Sequence, residues 1–386
     1  MKEFDFDAVR PYSDEELRSS IPRMMADPKF IGMMDYLFDS DRKQAIIEKL
    51  PQVETVKEFQ EVLTLPAVKK VLEDTTDGLD SSGYENISPT DHYIFVANHR
   101  DIILDSSILG LMQLAHGHKV TQTTWGNNLM INQLIIDLGK SNQMITVFRE
   151  GSPKELLLNS QRLSAFIRYS LTELNNSIWI AQRKGRTKDG SDKTDVTILK
   201  MLSLSCEGNF LESIKELNIT PLTISYEWEP CDAMKVREIY LSQHETYVKE
   251  PNEDFQSILG GVLAQKGRVH LAIGKTVNNG IEELKNKHLA NNAALAEIAK
   301  LIDHQIHLNY HLWPSNYLAY DLLHNSSDYS HLYTEETLTQ LNKRYDRTVQ
   351  IMGKNNEDIR SIFVKLYANP VINKLLALNE NGPAEA

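Results

Sequence analysis

The sequence has 386 residues, enough for about two or three structural units of ordinary size. Hydrophobic residues make up 41% and charged residues 24%, which excludes a disordered, collagen-like or coiled-coil chain as a whole. The formal net charge is −12, and this acidic balance argues against a nucleic-acid-binding protein. The two cysteines, Cys206 and Cys231, are far apart and have no Cys/His pattern around them, so neither a disulfide framework nor a zinc site is predicted.

The N-terminal region is predicted to be helical. Apolar residues recur at three- to four-residue spacing through residues 1–75, and the segment 75–91 concentrates Gly, Ser, Asp, Asn and Pro, which predicts a loop or domain boundary. The first 20 residues are acidic and lack a signal-peptide layout, and no window holds the roughly 20 mostly apolar residues of a spanning helix. We therefore expect a cytoplasmic location, with room for peripheral contact at the inner face of the membrane.

Short β-rich segments alternate with longer helical ones after the boundary. This rhythm predicts an α/β fold with a mostly parallel mixed sheet flanked by helices. Ser152 and Pro153 predict the start of a long helix over 153–174. The predicted strands are 93–97, 119–125, 143–148, 177–182, 219–227 and 268–274.

The chain ends in further helical patterns. The predicted organisation is a helical N-terminal region (1–85), an α/β core (86–290) and a helical C-terminal region (291–386). His304, His307 and His311 share one helical face without a carboxylate to complete a metal site, so we predict a surface or packing role for them. No cofactor motif is complete either, because the sequence GKT at 274–276 lacks the earlier glycine of a phosphate-binding loop.

The most informative segment follows the first predicted strand of the core. That strand runs directly into the polar sequence Asn-His-Arg-Asp, and the carboxyl ends of buried strands are where α/β sheets place their sites. Asp101 and Asp105 lie two and six positions after His99, and either carboxylate could orient the imidazole as a general base. The ordinary alternative is that Asn98 and His99 cap the next helix.

A basic loop follows the strand predicted at 177–182. It carries a local charge of +3 in an acidic chain, and Arg149 would join it if the strand ends converge. Arg suits phosphate because its planar fork donates two parallel hydrogen bonds. A solvated loop is the alternative. The charged residues are Arg183, Lys184, Arg186, Lys188, Asp189, Asp192 and Lys193.

Four blocks resemble, in order, the motifs of the glycerol-phosphate and lysophosphatidic acid acyltransferase superfamily. The first resembles the family's Asn-His and Asp motif, the second its phosphate-binding Arg motif, the third its Phe-Pro-Glu-Gly-Thr-Arg motif, and the fourth a strand with Pro in the acyl-donor groove. The blocks are NHRDIILD (98–105), VFRE (147–150), WIAQRKGRTKDG (179–190) and ITPLTISYEWEP (219–230).

The resemblance implies an O-acyltransferase. Its donor would be acyl-CoA or acyl-carrier protein, and its acceptor the hydroxyl of a glycerol-phosphate or lysophospholipid, with a membrane surface as a further partner. His99 would be the general base, with Asp105 as its favoured partner and Asp101 as the alternative. The substrate-binding residues that it implies are Asn98, Arg149, Arg183, Lys184, Gly185, Arg186 and Pro221.

Two positions depart from the family's pattern. Five residues instead of four separate His99 from Asp105, and Lys184 stands where the third motif has Glu. These departures motivate a non-catalytic lipid- or phosphate-binding relative as one alternative. A thioesterase or lipid hydrolase using the same residues on water is another. The sequence contains no Gly-x-Ser-x-Gly elbow, so direct attack of the acceptor is favoured over a protein nucleophile.

Overall fold

The computed structural model describes residues 4–244 and 253–380, and it has the α/β fold that the sequence predicts. Seven strands of this part of the chain form one sheet in the order β1-β7-β6-β2-β5-β3-β4. Neighbouring strands are parallel, except that β6 and β7 are antiparallel, so the sheet is mostly parallel and mixed. The strands are β1 (Gly78–Ser82), β2 (Ile94–Ala97), β3 (Gln122–Gly126), β4 (Met144–Val147), β5 (Ile178–Ala181), β6 (Ile219–Tyr226) and β7 (Arg268–Ile273).

Helices precede, connect and follow the strands. The N-terminal helices are α1 (Asp14–Ala26), α2 (Pro28–Leu37), α3 (Ser40–Lys49), α4 (Val56–Phe59) and α5 (Leu65–Thr75). Those between strands are α6 (Leu104–Ala115), α7 (Gln133–Ser141), α8 (Pro153–Thr172), α9 (Val196–Ser203), α10 (Phe210–Lys215), α11 (Asp232–His244) and α12 (Glu253–Leu263). After β7 come α13 (Asn278–Leu284), α14 (Asn291–Asn309), α15 (Pro314–His324), α16 (Glu335–Met352) and α17 (Glu357–Glu380).

The six strands predicted from the sequence are all present, but the segment 75–91, predicted as a loop or domain boundary, contains a strand that the sequence did not predict. This segment contains β1, which pairs with β7 at the edge of the sheet. The strand reads Gly-Leu-Asp-Ser-Ser and alternates between exposed and half-buried residues, so it carries almost no apolar pattern. An edge strand needs little burial on either face, and its sequence therefore looks like that of a loop.

The predicted start of the long helix is confirmed. Ser152 caps α8 by accepting a hydrogen bond from the amide of Glu155, and Pro153 occupies the first helical position. The helix ends at Thr172, two residues before the predicted end.

The sheet is buried on both faces. Ile94 and Val96 of β2 belong to a core with α8, α9, α10, α13 and α14, whereas Phe95 and Ala97 belong to a core with α5 and α6. This alternation is the period of two expected for a strand whose side chains point to opposite faces. Because α14 belongs to the first core, the C-terminal helical region begins with a helix that packs against one face of the sheet. No helix in the described part of the chain is long and apolar enough to cross a membrane.

Gly83 and Gly117 allow a matched test of how β1 is held. Both have left-handed backbone, with φ of 84° and 75°. A Cβ at Gly83 would overlap the carbonyl oxygen of Ile273, while one at Gly117 meets nothing within 4 Å. Each substitution to Ala should cost about 1–2 kcal/mol for the left-handed backbone. Gly83→Ala should cost about 1–3 kcal/mol more because of the overlap.

Urea unfolding of both variants measures the difference in the free energy of unfolding. Equal losses of unfolding free energy in Gly83→Ala and Gly117→Ala would show that the end of β1 can move away from Ile273 without an energetic cost.

Candidate active site

His99 lies in the short turn between β2 and α6, at the carboxyl end of a strand in the middle of the sheet. Strands β5 and β6 flank β2 on either side and run parallel to it. The carboxyl ends of β2, β5, β3 and β4 therefore meet at one edge, where polar side chains can converge. The His99 side chain is 12% exposed, so it reaches the surface of this edge without being solvated.

The carboxylate of Asp105 organises the turn. His99 Nδ1 lies 2.8 Å from Asp105 Oδ2, and the backbone amides of Arg100 and Asp101 donate to the same oxygen at 2.6 and 3.0 Å. The Tyr226 hydroxyl donates to Oδ1 at 2.8 Å. Burial, with the neighbouring Asp105 charge, raises the pKa of Tyr226 well above its ordinary value, so this hydroxyl stays a donor. One buried carboxylate thus binds the imidazole, two amides and a tyrosine.

This geometry assigns the histidine tautomer. Because a carboxylate only accepts hydrogen bonds, Nδ1 of a neutral His99 carries the proton and Nε2 carries the lone pair. The imidazole edge packs against Trp179, with ring centroids 5.3 Å apart and an interplanar angle of 71°. The ring is therefore oriented from two sides.

Asp101, the other candidate partner of His99, does something else. Its Oδ1 accepts the amides of Ile103 and Leu104, both at 2.9 Å, at the start of α6. The structure therefore distinguishes the two carboxylates that the sequence left as candidates: Asp105 contacts His99, and Asp101 caps α6.

Asn98 is fully buried and bonds to the neighbouring strand. Its Oδ1 accepts the amide of Ile224 at 2.7 Å, and its Nδ2 donates to the carbonyl of Ile224 at 3.0 Å. The side chain thus continues the β2–β6 ladder past the last paired residue of β2. It does not line the cavity that contains His99.

That cavity has a volume of about 440 Å³, within the usual range for small-molecule sites. His99 shares it with the cationic side chains Arg149, Arg183 and Lys184. Much of the remaining wall is apolar. The apolar lining residues include Ile102, Trp125, Leu129, Met144, Val147, Phe148, Leu156, Leu163, Trp179, Ile180, Ala181, Ile198 and Met201.

Arg149 follows β4 and lies over the backbone of β3. Its amide donates to Asn127 Oδ1 at 3.0 Å. A Cβ on Gly126 would lie 2.7 Å from Arg149 Nε and 2.8 Å from its Cζ. The guanidinium can therefore occupy its position only because residue 126 has no side chain.

The basic loop is tied to the His99 turn by backbone hydrogen bonds. The amide of Gln182 donates to the carbonyl of Ala97, and the amide of Thr187 donates to the carbonyl of His99, both at 2.7 Å. Between these bonds lies Gly185, whose φ of 76° is left-handed. Lys184 before it is exposed. The loop can therefore present cations to the cavity and still turn back toward the protein interior.

Like Asn98 and Gly185, two more residues that the resemblance implicates in substrate binding do not line the cavity that contains His99. Arg186 is only 8% exposed and lines a second cavity, of about 240 Å³, with Arg183 and Lys188. Pro221 is buried inside β6, where its carbonyl accepts the amide of Gly274 at 2.8 Å. Neither residue lines the cavity that contains His99.

A buried cluster of four charges lies behind the His99 turn, and sequence reasoning missed it. Arg100 is fully buried and pairs with Asp192 and with Glu229, the latter at 3.0 Å. Lys235 pairs with Glu229 and donates to the carbonyl of Arg100 at 2.7 Å. Although burial alone would lower the pKa of Arg100, Asp192 and Glu229 raise it well above its ordinary value. Burial lowers the pKa of Lys235.

No spacing pattern could have found this cluster. Asp192 and Glu229 are 92 and 129 positions from Arg100, and only the fold brings them together. The one available hint was an arginine directly after a buried strand. Among residues 4–244 and 253–380, no three His, Cys, Asp or Glu side chains are arranged to hold a metal ion.

Tyr226→Phe directly tests the hydrogen bonds that the Asp105 carboxylate accepts. The change removes only the hydroxyl that donates to Asp105, a buried hydrogen bond to a charged group. We expect the free energy of unfolding to fall by about 1.5–3 kcal/mol, measured by urea titration. Tyr36→Phe is the control, since Tyr36 is 66% exposed. Similar midpoints for both variants would contradict a structural role for the hydroxyl.

No protein-family model matches the chain, and no curated protein matches it. Six chains among the solved structures do match. One is the crystal structure of the 1-acyl-sn-glycerophosphate (LPA) acyltransferase, PlsC, from Thermotoga maritima, at 15% sequence identity and a TM-score of 0.32. The match covers 72% of this chain and 98% of that chain. At these values it carries no inference about activity, which has to come from the side chains of the site.

Proposed function

We propose that this chain is an O-acyltransferase that moves a fatty acyl group from a thioester, acyl-CoA or acyl-carrier protein, to the hydroxyl of a glycerol-phosphate or lysophospholipid. One observation carries the proposal: a single cavity contains an oriented histidine, three cationic side chains and a largely apolar wall. An acyl chain needs the apolar wall, a phosphate needs the cations, and a hydroxyl nucleophile needs a base.

His99 would act through Nε2. As the acceptor oxygen attacks the thioester carbonyl, Nε2 takes the hydroxyl proton, and the C–S bond then breaks. The imidazolium returns the proton to the leaving thiolate, giving an ester and a free thiol. Asp105 stabilises the imidazolium through Nδ1, which lies 2.8 Å from its oxygen. A positioned base of this kind contributes typically ~10²–10⁴-fold to the rate.

Direct transfer fits the chain better than an acyl-enzyme intermediate. Cys231 is buried, its thiol donates to the carbonyl of Ser257 at 3.1 Å, and burial raises its pKa. Cys206 is half-buried beside Arg168. Neither thiol lines the cavity, so neither can receive the acyl group there.

The cations would select the acceptor. A phosphate monoester carries close to two negative charges, and Arg149 and Arg183 can each offer it a planar pair of donors. Lys184 stands where the resemblance leads one to expect Glu, and it adds charge to the same cavity. This composition favours an acceptor whose phosphate enters the cavity.

His99→Ala should lower turnover by at least ~10²-fold while acceptor binding changes little, because the variant loses the base and keeps the cations. Asp105→Asn should also lower turnover strongly, since an amide can donate to Nδ1 and favour the wrong tautomer. Asp101→Asn is the matched control, because Asp101 does not contact His99.

The assay is thin-layer chromatography of a labelled acyl thioester with and without a panel of lysophospholipids. Fatty acid release that does not depend on the acceptor would instead identify a hydrolase. Binding without any turnover in the unmodified protein would identify a non-catalytic relative. Full activity of His99→Ala would exclude the mechanism.

Arg149→Ala should raise the acceptor KM more than the thioester KM, by about 10-fold or more, because a charge-assisted contact is worth roughly 1.5–3 kcal/mol. Salt should weaken acceptor binding in the parent more than in this variant. Arg347→Ala, an exposed change on α16, is the control for loss of a surface arginine. Equal effects on both substrates would argue that Arg149 serves the donor or the fold.

A further inference from the structure

Side chains of the C-terminal helices bind four consecutive carbonyls of the basic loop, residues 189–192. Asn369 Nδ2 donates to the carbonyl of Asp189 at 2.6 Å. Asn373 Nδ2 donates to the carbonyls of Gly190 and Ser191, both at 3.0 Å. His307 Nε2 lies 3.0 Å from the carbonyl of Asp192 and donates to it. We call these three side chains the carbonyl clamp; they are Asn369, Asn373 and His307.

The backbone of α17 is shaped to receive the loop. Pro370 stands inside this helix and has no amide hydrogen, so the carbonyl of Leu366 lacks its helical donor. Gly190 approaches at this point, with a φ of 75°, and a Cβ there would lie 2.5 Å from the Leu366 oxygen. A glycine on the loop thus faces a proline-interrupted turn of the helix.

The clamped segment also reaches the His99 turn. The carbonyl of Asp192 accepts the hydrogen bond from His307, while its carboxylate pairs with the buried Arg100. On the far side, the amide of Thr194 donates to Asp303 of α14 at 2.7 Å. The loop is therefore held between the C-terminal helices and the turn that carries His99.

Packing alone does not account for asparagines at these positions. Asn373 is buried, and burying an amide is unfavourable unless it forms hydrogen bonds. An apolar residue of similar size would fill the same space on α17 at lower cost. The hydrogen bonds to the loop are the feature that an apolar residue could not supply.

We propose that Asn369 and Asn373 are positioning residues for the phosphate-binding cations. By fixing the carbonyls of residues 189–191, they set the conformation of the loop that presents Arg183 and Lys184 to the cavity. The C-terminal helical region then determines acceptor affinity although it does not line the cavity. The expected effect on acceptor affinity rests on the proposed function. The expected effect on the conformation of the loop rests on geometry alone.

The kinetic test uses Asn373→Ala, with Asn379→Ala, an exposed asparagine on the same helix, as control. We expect the acceptor KM of Asn373→Ala to rise by about 3- to 10-fold with kcat changed less, because misplaced cations lose part of a charge-assisted contact. In an Arg183→Ala background the same substitution should add less, since one of the two cations that it positions is gone. Equal effects in both backgrounds would overturn positioning through Arg183.

Amide hydrogen exchange is the second readout, and it does not depend on activity. The amides of Thr187 and Gln182, which donate to the carbonyls of His99 and of Ala97 at the end of β2, should exchange faster in Asn373→Ala than in Asn379→Ala. The amide of Gln122, which donates to the carbonyl of Ser177 in the sheet, should not change. Unchanged exchange at Thr187 would overturn the clamp even if the enzyme is active.

Asn369→Ala, at a half-buried position with one clamp bond, replaces Asn373→Ala if the latter does not fold. A parent protein without acyltransferase activity would refute the proposed function, and the exchange result would still decide the clamp. Faster exchange in either clamp variant supports it.

Discussion

The buried ion pair between Arg100 and Asp192 joins the parts of this molecule on which the site depends. Arg100 belongs to the turn that carries His99, and Asp192 belongs to the loop that carries Arg183 and Lys184. Removing one member of a fully buried pair leaves an unpaired charge in the interior and typically costs about 3–5 kcal/mol. Such a pair gives little net stability over an apolar contact of the same shape. It joins the turn and the loop in one arrangement, in which His99 and the cations Arg183 and Lys184 line one cavity.

Regular features of the fold could be predicted from sequence because local patterns encode them. The strand ending at Ala97 is buried on both faces and reads as a continuous apolar segment, and Ser152 with Pro153 marks a helix start chemically. Strand β1 could not be predicted, because an edge strand is stabilised by backbone pairing with β7 and not by its own side chains. A local window of sequence contains no information about pairing partners that are 190 positions away.

The same distinction applies to the candidate site. Sequence reasoning named His99 and the cations as candidates, but it could not show in which direction their side chains point. Arg183 and Arg186 are three positions apart in one loop, with the left-handed Gly185 between them. Both line the second cavity, but only Arg183 also lines the cavity that contains His99. Similarly, the resemblance favoured Asp105 over Asp101 as the partner of His99 but left both open, and the hydrogen bonds at the start of α6 distinguish them. The resemblance implied that Asn98 binds substrate, whereas both ends of its side-chain amide bond to β6.

The four-charge cluster behind the turn consists of two cations and two anions, Arg100, Lys235, Asp192 and Glu229, and its members neutralise one another at short range. It therefore contributes little to the electrostatic potential outside the protein. The field in the cavity comes from Arg149, Arg183 and Lys184 within a molecule of net charge −12. At physiological ionic strength such a field extends only about 8 Å. An anionic ligand approaching from bulk solution is consequently repelled by the molecule as a whole and attracted only once it is within this short distance of the cavity. Capture should then be slow and selective unless the ligand is already concentrated at a nearby surface.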